Sequence, residues 1–125
     1  MNVQQPILLI EDDDFIAKAY KIGLEKEGFV IDVVANGADG LRAVRENAHG
    51  LVLLDLILPT MDGFELLEQL QKDGIKTLPP IIILSNLGQD TDIERGKMLG
   101  AVDYLVKANT SMEHVARKIR EYLRG

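Results

Sequence analysis

The stretch Ile7-Leu8-Leu9-Ile10-Glu11-Asp12-Asp13-Asp14 decides the fold. Four apolar residues without alternation describe a strand covered on both faces, and four acids end it abruptly. The same punctuation recurs along the chain. Leu51-Val52-Leu53-Leu54 stops at Asp55, Ile81-Ile82-Ile83-Leu84 at Ser85, and Val102-Asp103-Tyr104-Leu105-Val106 at Lys107. Strands buried on both faces belong to parallel sheets, whose strands all finish on one edge. In open α/β sheets that carboxyl edge is where ligands bind. Carboxylates, a hydroxyl and an ammonium far apart in sequence therefore converge.

Helical patterns fill the gaps. Ile16, Tyr20 and Leu24 predict a helix from about Asp14 to Glu27, stopped by Gly28. Phe29 to Val34 reads as a second strand. Asn36 and Asp39 cap a second helix with Leu41 and Val44 inward. Asp62 and Glu65 form a reciprocal cap for a third, with Phe64, Leu67 and Leu70 inward. Thr91 and Glu94 are expected to cap a short fourth helix ending at Gly100. Thr110-Ser111-Met112-Glu113 reads as a capping box before a last helix striped by Val115, Ile119, Tyr122 and Leu123. Alternating strands and helices imply an α/β protein with three α/β/α layers and right-handed crossovers.

At 125 residues the chain suits one domain, residues 1–125. A net charge of −6 disfavours direct nucleic-acid binding, which needs a basic face. The absence of cysteine excludes disulfides and thiolate zinc sites, and the two histidines, His49 and His114, have no ligand spacing and read as exposed. The start of the chain, Met1 to Pro6, lacks the basic and long apolar segments of a signal peptide, and no apolar run could span a membrane. A cytoplasmic protein is the expectation.

Glu11, Asp12 and Asp55 would repel one another unless a cation lies among them. Oxygen ligands select Mg²⁺, Mn²⁺ or Ca²⁺, and an incomplete carboxylate cage suits a metal that assists phosphoryl transfer. Asp55 is the candidate nucleophile, able to take a phosphoryl group as a mixed anhydride. Lys107 and Ser85 would then offer charge and a hydrogen bond to the phosphoryl oxygens. Asp13 and Asp14 read as complements to a helix N-terminus, Asp62 as a cap and Asp103 as a surface acid.

Five segments carry a family resemblance: Leu8 to Asp13, Leu53 to Leu56, Leu58 to Gly63, Ile83 to Ser85 and Gly100 to Lys107. Together, in this order and spacing, the chain resembles the receiver domain of two-component response regulators along essentially its whole length. The resemblance implies a flavodoxin-like, doubly wound sheet of five parallel strands in the order 2-1-3-4-5, with five helices. It implies that Asp55 is phosphorylated by a histidine kinase or histidine phosphotransfer protein, with Mg²⁺, or alternatively Mn²⁺, as cofactor. Asp12 and Asp55 are then metal ligands, Glu11 acts mainly through a metal-bound water, and Ile57 contributes its backbone carbonyl. Ser85 and Tyr104 match a switch pair that alters the surface of the fourth helix, fifth strand and fifth helix for a downstream protein. Such a domain is a regulatory phosphoacceptor rather than a turnover enzyme, a monomer or weak homodimer, either standing alone or part of a longer regulator.

Three departures stand out. Ala108 follows Lys107 where the family commonly has proline, so the turn should be looser and a cis bond absent. Asn86 follows Ser85 where a small residue is usual, and either narrows access to Asp55 or hydrogen-bonds near the phosphoryl group. Ile57 and Leu87 flank the path of attacking water and cannot orient it, which predicts a long-lived phosphoryl state. Rival readings are a receiver-fold interaction module that works without phosphorylation, a small Asp-nucleophile phosphatase and a flavodoxin. The phosphatase would need further acids after Lys107. The flavodoxin would need a phosphate loop richer in Ser, Thr and Gly than Glu11 to Asp14.

Overall fold

A computed structural model describes residues 5–124; residues 1–4, where the reading of a missing leader falls, and Gly125 lie outside it. The apolar runs form strands β1 (Ile7–Ile10), β2 (Ile31–Val34), β3 (Leu51–Leu54), β4 (Ile81–Ser85) and β5 (Asp103–Val106). Helices α1 (Asp14–Lys26), α2 (Gly37–Glu46), α3 (Gly63–Asp73), α4 (Asp90–Met98) and α5 (Met112–Tyr122) alternate with them. All strand pairs are parallel and the sheet order is β2-β1-β3-β4-β5, as the resemblance implied.

The two-residue period of a strand divides each apolar run between two cores. Leu8, Ile10, Val52, Leu54, Ile81 and Ile83 face α2 and α3 through Leu41, Val44, Phe64, Leu66, Leu67 and Leu70. Ile7, Leu9, Leu51, Leu53, Ile82, Leu84 and Leu105 face α1 and α5 through Ala17, Leu24, Val115, Ala116 and Ile119. This double covering is why the runs do not alternate in hydropathy. Each large side chain so buried contributes about 1.5–3 kcal/mol.

Local chemistry fixes the helix starts, with some corrections. Asp13 caps α1 through Ile16 N–H at 2.9 Å, and Asn36 caps α2 through Asp39 N–H at 2.8 Å. Asp62 and Glu65 form the expected capping box of α3. Thr91 and Glu94 do not cap α4; that helix starts two residues earlier, at Asp90 after Gln89, and has no side-chain cap. The cap of α5 is Ser111 alone, accepting from His114 N–H at 3.1 Å. Thr110 instead donates its hydroxyl to the Val106 carbonyl at 2.7 Å, tying the turn before the helix. The second strand is shorter than expected because Phe29 and Val30 only lead into it.

The loop from Asp55 to Asp62 is folded tightly beneath the start of α3. A Cβ on Gly63 would lie 2.6 Å from the Asp55 carbonyl oxygen and 2.8 Å from Leu56 Cα. Both obstacles are backbone, so a methyl group must push the loop aside. Gly63→Ala is expected to lower stability by about 2 kcal/mol, read as a lower urea midpoint at unchanged slope. A midpoint equal to wild type would show that the loop yields freely.

Candidate functional site

The pairing of β1 with β3 places Ile10 beside Leu54, so the next residues, Glu11 and Asp55, leave the sheet side by side. Backbone bonds hold both: Glu11 N–H donates to the Val34 carbonyl at 3.0 Å and Asp55 N–H to the Ile10 carbonyl at 3.1 Å. Glu11 and Asp55 are buried and Asp12 is exposed, yet one carboxylate oxygen from each lies within 4.8 Å of the others. Lys107, at the end of β5, crosses the edge to close the cluster. Its ammonium donates to Glu11 Oε1 and, at 2.9 Å, to Asp55 Oδ2.

Charge and burial compete here. Burial pushes the Glu11 carboxyl above its ordinary range and the Asp55 charge adds to this, against the hydrogen bond and charge of Lys107. Burial would lower Lys107, but its bonds to Glu11 and Asp55 prevail and hold the ammonium above its usual range. Three carboxylates against one ammonium leave a surplus of two negative charges in the cleft. Hard oxygen donors with that surplus fit a divalent cation such as Mg²⁺ or Mn²⁺. Glu11, Asp12 and Asp55 would hold it. Ile57 lines the same cleft, and its N–H donates to Asp55 Oδ1 at 3.3 Å.

Ser85 ends β4 fully buried at the same edge, but its hydroxyl accepts from Leu87 N–H at 3.4 Å rather than bonding Asp55. The Tyr104 ring is turned inward, 8% exposed, and its hydroxyl donates to the Leu87 carbonyl. Leu87 thus links Ser85 and Tyr104 through its two backbone groups. Burial, with smaller contributions from Asp92 and Asp55, pushes the Tyr104 phenol up to about 12. The ring rests against α4 at Gly96, where a Cβ would strike Ile83 Cδ1 and come within 3.3 Å of the ring.

Two of the three departures from the family pattern, Asn86 and Ala108, meet in space. Asn86 accepts a hydrogen bond from Ala108 N–H at 3.0 Å through its side-chain oxygen. The Lys107–Ala108 peptide is trans, as expected. The turn is not loose, because residues 107–109 form a short 3-10 helix tied by Asn86 and Thr110. Nothing in the Ser85-Asn86 or Lys107-Ala108 dipeptide alone signals this contact. Nor could sequence have found the role of the Leu87 backbone, which is independent of side-chain identity.

Two further expectations need correction. His49 is buried rather than exposed, and its side chain reaches across to β2 and pairs through Nε2 with Asp32 at 2.8 Å. Asp103 is no free surface acid. It accepts from Tyr104 N–H at 2.8 Å and pairs with Lys118 at 3.2 Å, and these bonds overcome burial to hold its carboxyl below the usual range.

An acidic, lysine-closed cleft at the carboxyl edge of a 2-1-3-4-5 sheet defines a flavodoxin-like domain with a site suited to a cation. The comparisons narrow this class. The family model for the response regulator receiver domain matches residues 7–120, and the chain belongs to that family. It is 40% identical over 101 residues to the transcriptional regulatory protein AfsQ1 of Streptomyces coelicolor, covering 81% of this chain and 44% of that protein. It is 37% identical over 118 residues to the uncharacterized transcriptional regulatory protein YkoG of Bacillus subtilis, covering 94% and 50%. The chain thus spans about half the length of these curated relatives. Among solved structures, the Francisella response regulator 1452 receiver domain superposes with a TM-score of 0.85 at 30% identity, over 94% of this chain and 95% of that one. The BeF3-activated N-terminal receiver domain of Klebsiella pneumoniae RstA gives 0.85 at 28% identity, over 96% and 99%.

Proposed function

We propose that Asp55 accepts a phosphoryl group from the phosphohistidine of a histidine kinase or phosphotransfer protein, and that the adduct switches the surface formed by α4, β5 and α5. The observation that carries this reading is the Asp55 carboxylate itself, with Lys107 Nζ at 2.9 Å and the Glu11 and Asp12 oxygens within 4.8 Å. An Asp55 oxygen attacks phosphorus, the P–N bond breaks, and the imidazole leaves with the electron pair. The ammonium of Lys107 turns from the carboxylates toward the new phosphoryl oxygens, and the Ser85 hydroxyl exchanges the Leu87 amide for one of them. Glu11 and Asp12, together with Asp55, would hold a divalent cation, which would supply positive charge against the phosphoryl oxygens.

Movement of Ser85 alters the Leu87 backbone and with it the hydrogen bond that seats Tyr104. Among the helices α4 is the least anchored, with Gly96 as its one buried residue and no side-chain cap, which suits a segment whose position is to change. The relatives AfsQ1 and YkoG are transcriptional regulatory proteins, and we extend that role to this chain. The acidic domain would act through a protein module rather than by gripping DNA. No helix among the described residues is long and apolar enough to cross a membrane, and a cytoplasmic site of action accords with the proposed partners.

The test is incubation with acetyl phosphate and Mg²⁺. Intact mass should rise by one phosphoryl group, hydroxylamine should remove it, and borohydride trapping should map it to residue 55. An unchanged mass, or an adduct at another residue, would overturn the assignment. Lifetime is a separate prediction. Ile57 is 59% exposed at the cleft and carries no group able to orient water, and Leu87 spends both backbone groups on Ser85 and Tyr104. Ile57→Asn should speed loss of the phosphoryl group roughly tenfold. Equal decay of the two proteins, followed by intact mass, would refute this.

A further inference from the structure

We propose that Asn86 is a positioning residue for Lys107, and that Asn86 and Ala108 form one coupled device in place of a rigid proline turn. Its kinetic part rests on Asp55 being the phosphoacceptor; its structural part does not. The bond from Ala108 N–H to Asn86 Oδ1, 3.0 Å long, joins the loop after β4 to the turn after β5. It needs both departures from the family pattern at once. Proline at 108 would supply no N–H, and alanine at 86 would supply no acceptor.

The location of the bond gives it leverage. Ala108 follows Lys107 directly, and Lys107 opens the 3-10 turn from which its ammonium reaches Glu11 and Asp55. A turn that swings at Ala108 carries the lysine stem with it. The other hydrogen bonds of this turn, from the Thr110 hydroxyl to the Val106 carbonyl and from Thr110 N–H to the Lys107 carbonyl, lie within β5 and its own continuation. Among the described residues, the Asn86 side chain supplies the hydrogen bond from this turn to the loop after the neighbouring strand, and that strand ends in Ser85. Ser85 and Lys107, which must both approach the same phosphoryl oxygens, are therefore mechanically joined by the residues that follow them. Asn86 lines the cleft together with Ile57, Asp13 and Ile16, and its side-chain oxygen is directed to the turn.

Three measurements test the proposal. In wild type, hydrogen exchange of the Ala108 amide should be slowed; Asn86→Ala should speed it about tenfold, while Asn86→Asp, which keeps an acceptor oxygen, should not. Amine labelling followed by peptide mass should show Lys107 several-fold more reactive in Asn86→Ala, with Lys18 and Lys72 unchanged. Phosphoryl uptake from acetyl phosphate should slow about fivefold in Asn86→Ala, a rate equivalent to one hydrogen bond. In a Lys107→Met background, held folded by Mg²⁺, the same substitution should produce no further slowing, because the effect passes through the lysine.

Unchanged Ala108 exchange or unchanged Lys107 labelling in Asn86→Ala would overturn the proposal. Equal slowing in the Lys107→Met background would overturn it too, showing that Asn86 acts on its own. If Asp55 takes no phosphoryl group at all, exchange and labelling still decide the structural link, so the two readings fail separately.

Discussion

Asp55→Asn is expected to abolish phosphoryl uptake, by a factor of at least about a thousand, while leaving a folded protein. The amide nitrogen is not nucleophilic and the amide oxygen cannot form a stable acyl phosphate. The loss is therefore chemical and does not require the site to rearrange. The hydrogen bond from Ile57 N–H to Oδ1 can persist, because the amide keeps an oxygen acceptor at that position. Removing one carboxylate also relieves the repulsion that helps hold Glu11 above its ordinary range, while Lys107 retains Glu11 as its partner. These changes oppose the lost attraction between Lys107 and Asp55, so stability should stay within about 1 kcal/mol of wild type. Intact mass after acetyl phosphate treatment checks the first part and urea unfolding the second. A variant that gains the phosphoryl mass as wild type does would remove Asp55 from the reaction. A variant that is unfolded would make the loss of uptake uninformative, which is why the unfolding curve belongs to the same experiment.

The expected loss rests on strand ends, and these are the part of the molecule most visible in the sequence. Leu51 to Leu54 and Ile81 to Leu84 are apolar at every position because α helices cover both faces of the sheet. The residue that stops each run is polar because it emerges at the edge. Backbone pairing then places residues 11 and 55 together whatever lies between them, as the register of β1 with β3 requires. Position in a parallel sheet converts a one-dimensional pattern into a site, so Glu11, Asp12, Asp55 and Lys107 could be grouped from sequence.

Contacts that depend on side-chain reach or on loop shape were not visible in this way. His49 looks like any surface histidine until its side chain is seen to reach Asp32 on β2. Asp103 gains its partners from α5, through Lys118 and Tyr122, and its own neighbours in sequence show no sign of them. The link between Asn86 and Ala108 joins two loops, where conformation is set by turn geometry rather than by a hydrophobic period. Each residue read singly suggests a weakened feature, a crowded cleft or a slack turn. Read as a pair, they restrain the same element.

Lys107→Met is expected to lower stability by about 3 kcal/mol at neutral pH without divalent cation, with most of the loss restored by Mg²⁺. Methionine preserves much of the stem but leaves Glu11 and Asp55 buried together with no counter-charge. Breaking a buried pair on one side is costly because the remaining charge keeps its desolvation penalty. Protonation limits the damage. Burial already raises the Glu11 carboxyl, with Asp55 adding to it, and Lys107 opposes both. Without the lysine that carboxyl rises further. A group with a raised folded pKa stabilises the fold fully below its unfolded value, near 4.3, and the contribution disappears as pH climbs through the folded value. The deficit of the variant should therefore be small near pH 4 and open as pH rises toward 7. Mg²⁺ should close it again, since a cation among Glu11, Asp12 and Asp55 takes over the charge balance, and it should stabilise the variant more than wild type because the ammonium no longer competes. Urea midpoints at pH 4.5 and 7.5, each with and without Mg²⁺, check the four corners. A loss independent of pH and of Mg²⁺ would mean that the lysine acts through packing of its stem, and the cleft would then not be the charge-balanced switch proposed for it.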